Sequence, residues 1–297
     1  MSAEAKPTLA SYTHPVRLRE QWPVIVIGIL FTLLWWGVAL HERDGNTFKV
    51  WDDQRKIYAM AGEYFFEPYA IRGYFNAPWT LILLLPFELT SLEVQTLVQT
   101  GLYFVLLGLV IIKFGGNKWG VVVALSSALA ADTVFELSID WIVCIGLLVP
   151  PMWSLPFLMV KPQTAFGYLL SFERRAFIRA TMVGLAVLLA SFVIWGAWPL
   201  AMMENLSNQL IQLVNLSPMA LLPIPLSILI GIGLGGYGFW RRDPILSTAA
   251  GVFFVPYIAP NSVLLIFGLL SARWPRAMLV VNVAIWVVVV SILQRLG

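Results

Sequence analysis

Long apolar runs, cut by short polar stretches, constrain this chain more than any single motif. Runs at 23–40, 94–114, 141–160, 176–195, 221–239 and 278–293 come near the roughly 20 residues a helix needs to cross a bilayer, and shorter ones occupy 78–89, 119–131, 164–172, 245–258 and 263–270. Hydrophobic residues make up 59% of the chain and charged residues 12%, with a mean hydropathy of +0.82, whereas a soluble domain carries roughly 25% charge. The chain therefore reads as an all-α, polytopic transmembrane helix bundle of about 8–11 membrane segments. The shorter, proline-interrupted runs fit such a bundle only where protein or a water-filled cavity covers them, as re-entrant or broken helices.

Lysine and arginine set the expected orientation. A polar leader, residues 1–22, carries Lys6, Arg17 and Arg19 and precedes the first apolar run. Although Gly37-Val38-Ala39 fits a cleavage pattern, the leader is long and the run exceeds a signal-peptide core, so it reads as a retained first span. The leader, Arg174-Arg175 with Arg179, Arg241-Arg242, and Arg273 with Arg276 are mutually compatible as cytoplasmic positions. That puts loops 41–76 and 197–219 on the outer face of a cell membrane, plasma or inner, within one integral domain spanning 23–297. Met203, Leu206, Leu210, Leu213 and Val214 recur at helical spacing opposite Asn205, Asn208, Gln209 and Gln212, which predicts an amphipathic helix along that face. The net charge of +3 and pI near 9.0 come from basic residues scattered singly or in pairs, so they signal topology and give no nucleic-acid partner. One cysteine, Cys144, excludes an internal disulfide and a thiolate metal cluster.

Four polar groupings could carry chemistry. Asp52-Asp53 opens an acidic, aromatic stretch that runs through Tyr58 toward Phe75-Asn76-Ala77-Pro78-Trp79. Adjacent aspartates cannot both face one point, so one faces a site, as general base or cation ligand, and the other faces solvent; the bland alternative is a solvated loop with capping acids. Lys161-Pro162-Gln163 lies between apolar runs, where a lysine either meets a phosphate as a point charge or snorkels to head groups. Asp132, Glu136 and Asp140, four apart, would share one face of a continuous helix, as a cation or proton path or as a polar connection. Pro256-Tyr257-Ile258-Ala259-Pro260-Asn261 breaks or kinks a span and frees carbonyls that neighbours, water or a ligand must satisfy.

In this order the residues resemble the GT-C fold polyprenyl-phosphate-dependent glycosyltransferases, in particular the glycosyltransferase 87 family of mannosyltransferase-like membrane proteins. A first span, an outer loop with a catalytic aspartate and a tyrosine, a Pro-Tyr pair and an aromatic-Asn-Pro-Pro-Trp-like motif correspond to Asp52 or Asp53, Tyr58, Pro68-Tyr69 and Phe75-Asn76-Ala77-Pro78-Trp79. Lys161-Pro162-Gln163 and Pro256-Tyr257 are similar to two further family elements, while Ala77 and Ser138-Ile139-Asp140-Trp141 depart from the pattern. The resemblance implies transfer of a sugar such as mannose from a polyprenyl-phosphate donor to an acceptor hydroxyl on the outer face. Asp53 by preference, or Asp52, would be the base; Tyr58, Tyr69, Asn76, Trp79, Lys161, Gln163 and Tyr257 would bind substrate. No cofactor is called for, and a divalent cation is compatible with the carboxylates but not indicated. The expected partners are the bilayer, the lipid-linked donor and, if the chain is a catalytically silent subunit of a larger complex, other membrane proteins. An ion-coupled transporter built on Asp132, Glu136 and Asp140 is the further alternative, and no internal repeat supports it.

Overall fold

The computed structural model describes residues 17–45, 50–207 and 215–296, and every regular element among them is helical. A short 3-10 turn leads into α1 (Trp22–Gly45), followed by α2 (Asp52–Lys56), α3 (Thr80–Leu84) and α4 (Leu92–Lys113). Next come α5 (Lys118–Leu125), α6 (Ala128–Glu136), α7 (Asp140–Leu148), α8 (Pro151–Leu158) and α9 (Pro162–Ala165). The remainder comprises α10 (Arg174–Trp195), α11 (Trp198–Ser207), α12 (Pro218–Leu221), α13 (Ile224–Arg241), α14 (Pro244–Gly251), α15 (Pro260–Arg273) and α16 (Pro275–Leu296).

Among the described residues α1, α4, α10 and α16 are each long and apolar enough to cross a membrane, and α5 with α6, bent by 59°, makes a fifth span if taken together. This is fewer than the 8–11 segments expected from apolar content. The difference has a local cause: Pro150-Pro151, Pro156, Pro162, Pro244 and Pro260 sit at or near helix starts or inside helices and divide the apolar runs into short pieces. Those pieces form the interior. Polarity is inverted relative to a soluble protein: Leu30, Leu33, Leu189, Val193, Val280 and Val287 point outward, while Gln95, Gln99, Thr100, Asp140, Ser262 and Asn282 are buried. A wide apolar exterior of this kind suits a lipid surround.

The first two spans pack at close range. A Cβ on Gly28 would lie 2.9 Å from a Val105 methyl, and one on Gly108 would lie 2.8 Å from Val24, so glycines on both helices allow α1 and α4 to approach. Helix starts are capped within the sequence: Ser91 for α4, Asn117 for α5, Ser127 for α6 and Asp243 for α14 each accept a backbone N–H from the first turn. At its other end α4 places Lys113, which donates to the carbonyls of Leu147 (2.7 Å) and Leu148 (3.1 Å) and so closes the C-terminus of α7.

Two expectations are corrected here. Asp132, Glu136 and Asp140 do not share a helical face: α6 ends at Glu136, Leu137 takes the left-handed conformation (φ 57°), and Asp140 starts a new helix. The predicted amphipathic helix appears as α11 through Ser207, and positions 208–214 lie outside the described residues, as does most of the 1–22 leader. At the proline pair, neighbours satisfy the freed backbone. Asn215 donates to the Pro256 carbonyl (2.7 Å) and accepts from the Ile258 N–H (3.1 Å), while the Ser217 hydroxyl donates to Val255 O (2.7 Å).

Candidate functional site

The site is built around α2, a helix of one and a half turns held at both ends. Trp51 precedes it in the left-handed conformation (φ 60°, ψ 36°), which a bulky residue adopts only when its surroundings enforce it. Here they do: its N–H donates to Phe135 O at 2.5 Å, and its buried indole stacks on Trp36 with the Arg43 guanidinium 5.3 Å from the ring centroid. Three residues on, Gln54 is buried between two glutamines of α4, donating to Gln95 Oε1 (2.5 Å) and accepting from Gln99 Nε2 (3.2 Å).

Fixing α2 in this way separates the aspartate pair. Asp52 turns outward and pairs with Lys56 one turn along. Asp53 is part-buried, and burial pushes its carboxyl up to about 6, with the positive charge of Lys161 opposing the rise and Asp52 adding to it. Asp132 and Glu136 of α6 are also within electrostatic reach of Asp53. Tyr58 stands close by, fully enclosed; burial and then Asp53 drive its phenol well above the usual range, so it keeps its proton. It accepts from Asn76 Nδ2 at 3.4 Å, and the Asn76 carbonyl in turn accepts from Tyr69 OH at 2.9 Å.

Lys161 reaches Asp53 electrostatically from a distant part of the chain. α8 carries Pro156 inside it and ends at Leu158, Pro162 starts α9, and the break leaves Lys161 at the N-terminus of α9 with its side chain turned into protein. Its ammonium donates to Ser138 Oγ (3.1 Å), Asp140 Oδ2 (3.3 Å) and Ser262 Oγ (3.0 Å). Ser138 also donates to Asp140 Oδ2 at 2.5 Å, and Ser262 donates to Asn261 Oδ1 at 3.2 Å. The second Asp140 oxygen is buried without a hydrogen-bond partner among the described residues, and Asp140 is within electrostatic reach of Tyr103 of α4. Neither of the two sequence readings of Lys161 covers this arrangement. The lysine does not snorkel, and protein already occupies the three donors that a phosphate would use.

Next to these polar residues in sequence, Phe75, Ala77, Pro162 and Gln163 help to line an apolar cavity of about 1010 Å³. Phe75, Phe166, Phe177, Phe239 and Phe254 line it, together with Gly235 and Gly236 of α13. Pro162, Gln163 and Tyr257 also face it, which puts one end of the cavity next to Lys161 in sequence and next to Asp53 in charge: burial and then Asp53 and Glu136 push the Tyr257 phenol up to about 12. A volume of this size is that of a small-molecule or lipid-chain pocket.

Compared with known proteins, the chain matches no family, no curated protein and no solved structure.

The structure thus brings Tyr58, Lys161 and Tyr257 within electrostatic reach of Asp53, hydrogen-bonds Asn76 to Tyr58, and puts Gln163 and Tyr257 on the cavity wall. Trp79 and Tyr69 stand farther back. The Trp79 indole N–H donates to Pro156 O (3.0 Å), and its ring meets Trp198 edge-on, while Tyr69 stacks flat on Trp198 at 6.1 Å. Among the described residues no three His, Cys, Asp or Glu side chains converge as metal ligands. Sequence reasoning missed Gln54, Ser138, Ser262 and Trp198. The signal for the first was available: Gln95 and Gln99 recur four apart inside an apolar run, and such a pair needs a buried polar partner.

Proposed function

We propose that the chain is a membrane glycosyltransferase that moves a sugar, such as mannose, from a polyprenyl-phosphate donor to an acceptor hydroxyl at the outer face. The observation that carries this reading is an apolar cavity of about 1010 Å³ whose wall residue Tyr257 lies within electrostatic reach of Asp53, a carboxyl raised to about 6. A lipid-linked donor needs both surfaces, one for its chain and one for its reacting head.

In this reading the donor chain lies along the cavity and its phosphate end reaches the Lys161 side. Ionised Asp53 takes the proton of the acceptor hydroxyl as the hydroxyl oxygen bonds to the anomeric carbon. The bond from that carbon to the phosphate oxygen breaks, and polyprenyl phosphate leaves with the electron pair, inverting the centre. The leaving group is already stable as an anion, so the protein's work is orientation and charge stabilisation. Tyr58, held protonated, donates a hydrogen bond, and Lys161 adds positive charge while Asp140, Ser138 and Ser262 fix its position.

A second reading has its own support. The full use of the Lys161 donors by protein suits a structural tie, as in a catalytically silent subunit of a larger membrane complex. One experiment separates the two: transfer of radiolabelled sugar from a panel of polyprenyl-phosphate sugars by the purified chain in lipid nanodiscs, with Asp53→Asn and Asp52→Asn alongside. Turnover that Asp53→Asn abolishes supports the transferase. Absence of transfer from a folded sample, together with co-purifying membrane subunits, supports the silent subunit.

A further inference from the structure

The apolar cavity follows α10 for much of that helix. Phe177, near its start, and Trp198, just past its end, both line the space. The Trp198 indole N–H donates back to Ser191 Oγ at 2.9 Å, and Ser191 stands roughly 21 Å along α10 from Phe177 at about 1.5 Å of rise per residue. One end of the cavity is therefore at Trp198 and the other at the start of α10. Phe177 and Phe239 frame this second end, and they are 44% and 60% exposed, so the cavity opens there on the outside of the bundle, where lipid lies.

Positive charge gathers at this mouth. Arg174 precedes Phe177 by one turn of α10, and Arg242 follows Phe239 by one turn at the end of α13, so each framing ring has an arginine next to it on its own helix face. The two helix ends touch, because Arg242 Nη1 donates to Phe172 O, two residues before Arg174. That bond leaves the other guanidinium donors of Arg242 without a partner among the described residues, and Arg174 is exposed and in no ion pair. The nearby carboxylates do not cancel this charge. Asp243 is taken up by Arg273 and by the N–H groups of Ile245 and Leu246, which leaves exposed Glu173 against Arg174, Arg175, Arg179, Arg241 and Arg242. α10 also starts without a side-chain cap, and its first-turn N–H groups add to the positive end.

We infer that this mouth binds an anionic phospholipid of the leaflet at that end, with its phosphodiester between Arg174 and Arg242 and one acyl chain in the cavity. Each part of that ligand has its match. Guanidinium groups fork onto phosphate oxygens, and the excess of positive charge works against a zwitterionic head, whose ammonium would sit among arginines. A soluble anion would leave the apolar space unused. An acyl chain reaches in by about 15 Å, half the hydrocarbon thickness, so the Tyr257 end stays open for a second ligand. The site stands independently of the transferase reading.

The test is native mass spectrometry of the full chain in mild detergent, titrated with phosphatidylglycerol, phosphatidylcholine, palmitate, a polyprenyl phosphate or inorganic phosphate. The expected result is one retained phosphatidylglycerol, with phosphatidylcholine and inorganic phosphate lost. Arg174→Gln, at an exposed position, and Gly236→Leu, on the cavity wall, should each weaken retention about tenfold without lowering the melting temperature. Arg175 and Arg179 each lie two residues from Phe177, roughly 200° round the helix, so the double variant Arg175→Gln/Arg179→Gln should change it by less than about twofold. A loss from that pair as large as from Arg174→Gln would mean a diffuse basic rim and overturn the inference. So would phosphatidylcholine held as tightly, or palmitate held in preference. Retention of the polyprenyl phosphate in preference to phosphatidylglycerol, through Arg174, would give the mouth to the donor lipid and also overturn it. A sample that retains phosphatidylglycerol in the expected way but transfers from no donor ends the transferase reading and leaves this site standing.

Discussion

Lys161 Nζ lies 3.3 Å from Asp140 Oδ2, a buried pair that ties the start of α9 to the start of α7. Removing one partner of such a pair strands a charge away from water, while removing both leaves a gap that apolar side chains can fill. Asp140→Asn and Lys161→Met should each lower stability by about 3–5 kcal/mol, and the double variant Asp140→Leu/Lys161→Met should regain most of it. Melting temperatures in nanodiscs decide the matter. A double variant as unstable as the singles would mean that the pair is not coupled in this way.

Asp53 should give transfer its pH profile. The base must be ionised, so activity rises through about pH 6 to a plateau and falls on acidification. The same shift acts on folding with a definite sign. Its carboxyl rises from an ordinary 3.8 to about 6 on folding, so the folded state holds the proton more tightly than the unfolded one. The resulting stabilisation is present below pH 3.8 and is lost as pH rises through about 6. At neutral pH, Asp53→Asn should therefore abolish transfer while leaving the melting temperature equal or higher. A variant that melts lower at neutral pH would contradict this account of the carboxyl.

Asp52 should behave differently from its neighbour. It forms an exposed pair with Lys56 one turn away, and such pairs contribute about 0.3–0.5 kcal/mol. Asp52→Asn should keep transfer within about twofold of the parent and shift the melting temperature little. A loss as deep as that from Asp53→Asn would show that the base had been assigned to the wrong aspartate.

Gly236 offers a way to fill the cavity without disturbing the bundle. It lines the apolar space on α13, and a Cβ added there would meet nothing within 4 Å. Leucine also favours the helix over glycine by about 0.8–1 kcal/mol. Gly236→Leu should therefore fold as well as the parent or better, yet raise the donor KM by about tenfold or more if the lipid chain lies along this wall. Gly231 makes the useful contrast, because a Cβ there already crowds Phe253 and Phe254, and substitution should cost stability. Unchanged donor kinetics in Gly236→Leu would remove the cavity from the mechanism.

The helical, lipid-facing character of this chain was legible because it depends on composition and on local run length. α1, α4, α10 and α16 coincide with long apolar runs for that reason. The broken interior was legible only as a class, since prolines announce that helices stop but not how the pieces pack. At the site, sequence reasoning named Asp53, Tyr58, Asn76, Lys161 and Tyr257, which the fold links by electrostatic reach and hydrogen bonding across more than half of the chain. It did not find the partners of Lys161. Ser138, Asp140 and Ser262 become its neighbours only because Leu137 reverses the chain and α15 returns beside α6, and neither event has a signature in local spacing. The expectation of three carboxylates on one face failed at that same leucine, where a left-handed residue interrupted a helix that spacing alone would have continued.

The fastening of α2 makes its length matter more than its composition. Trp51 is tied to Phe135 and Gln54 to Gln95 and Gln99, so both ends of the segment are indexed to other helices. A helix advances about 100° per residue. One residue added or removed between Trp51 and Gln54 would rotate the aspartates relative to Tyr58 and Lys161 and aim the wrong neighbour at them. Variation after Tyr58, where the chain runs through turns, carries no such phase requirement.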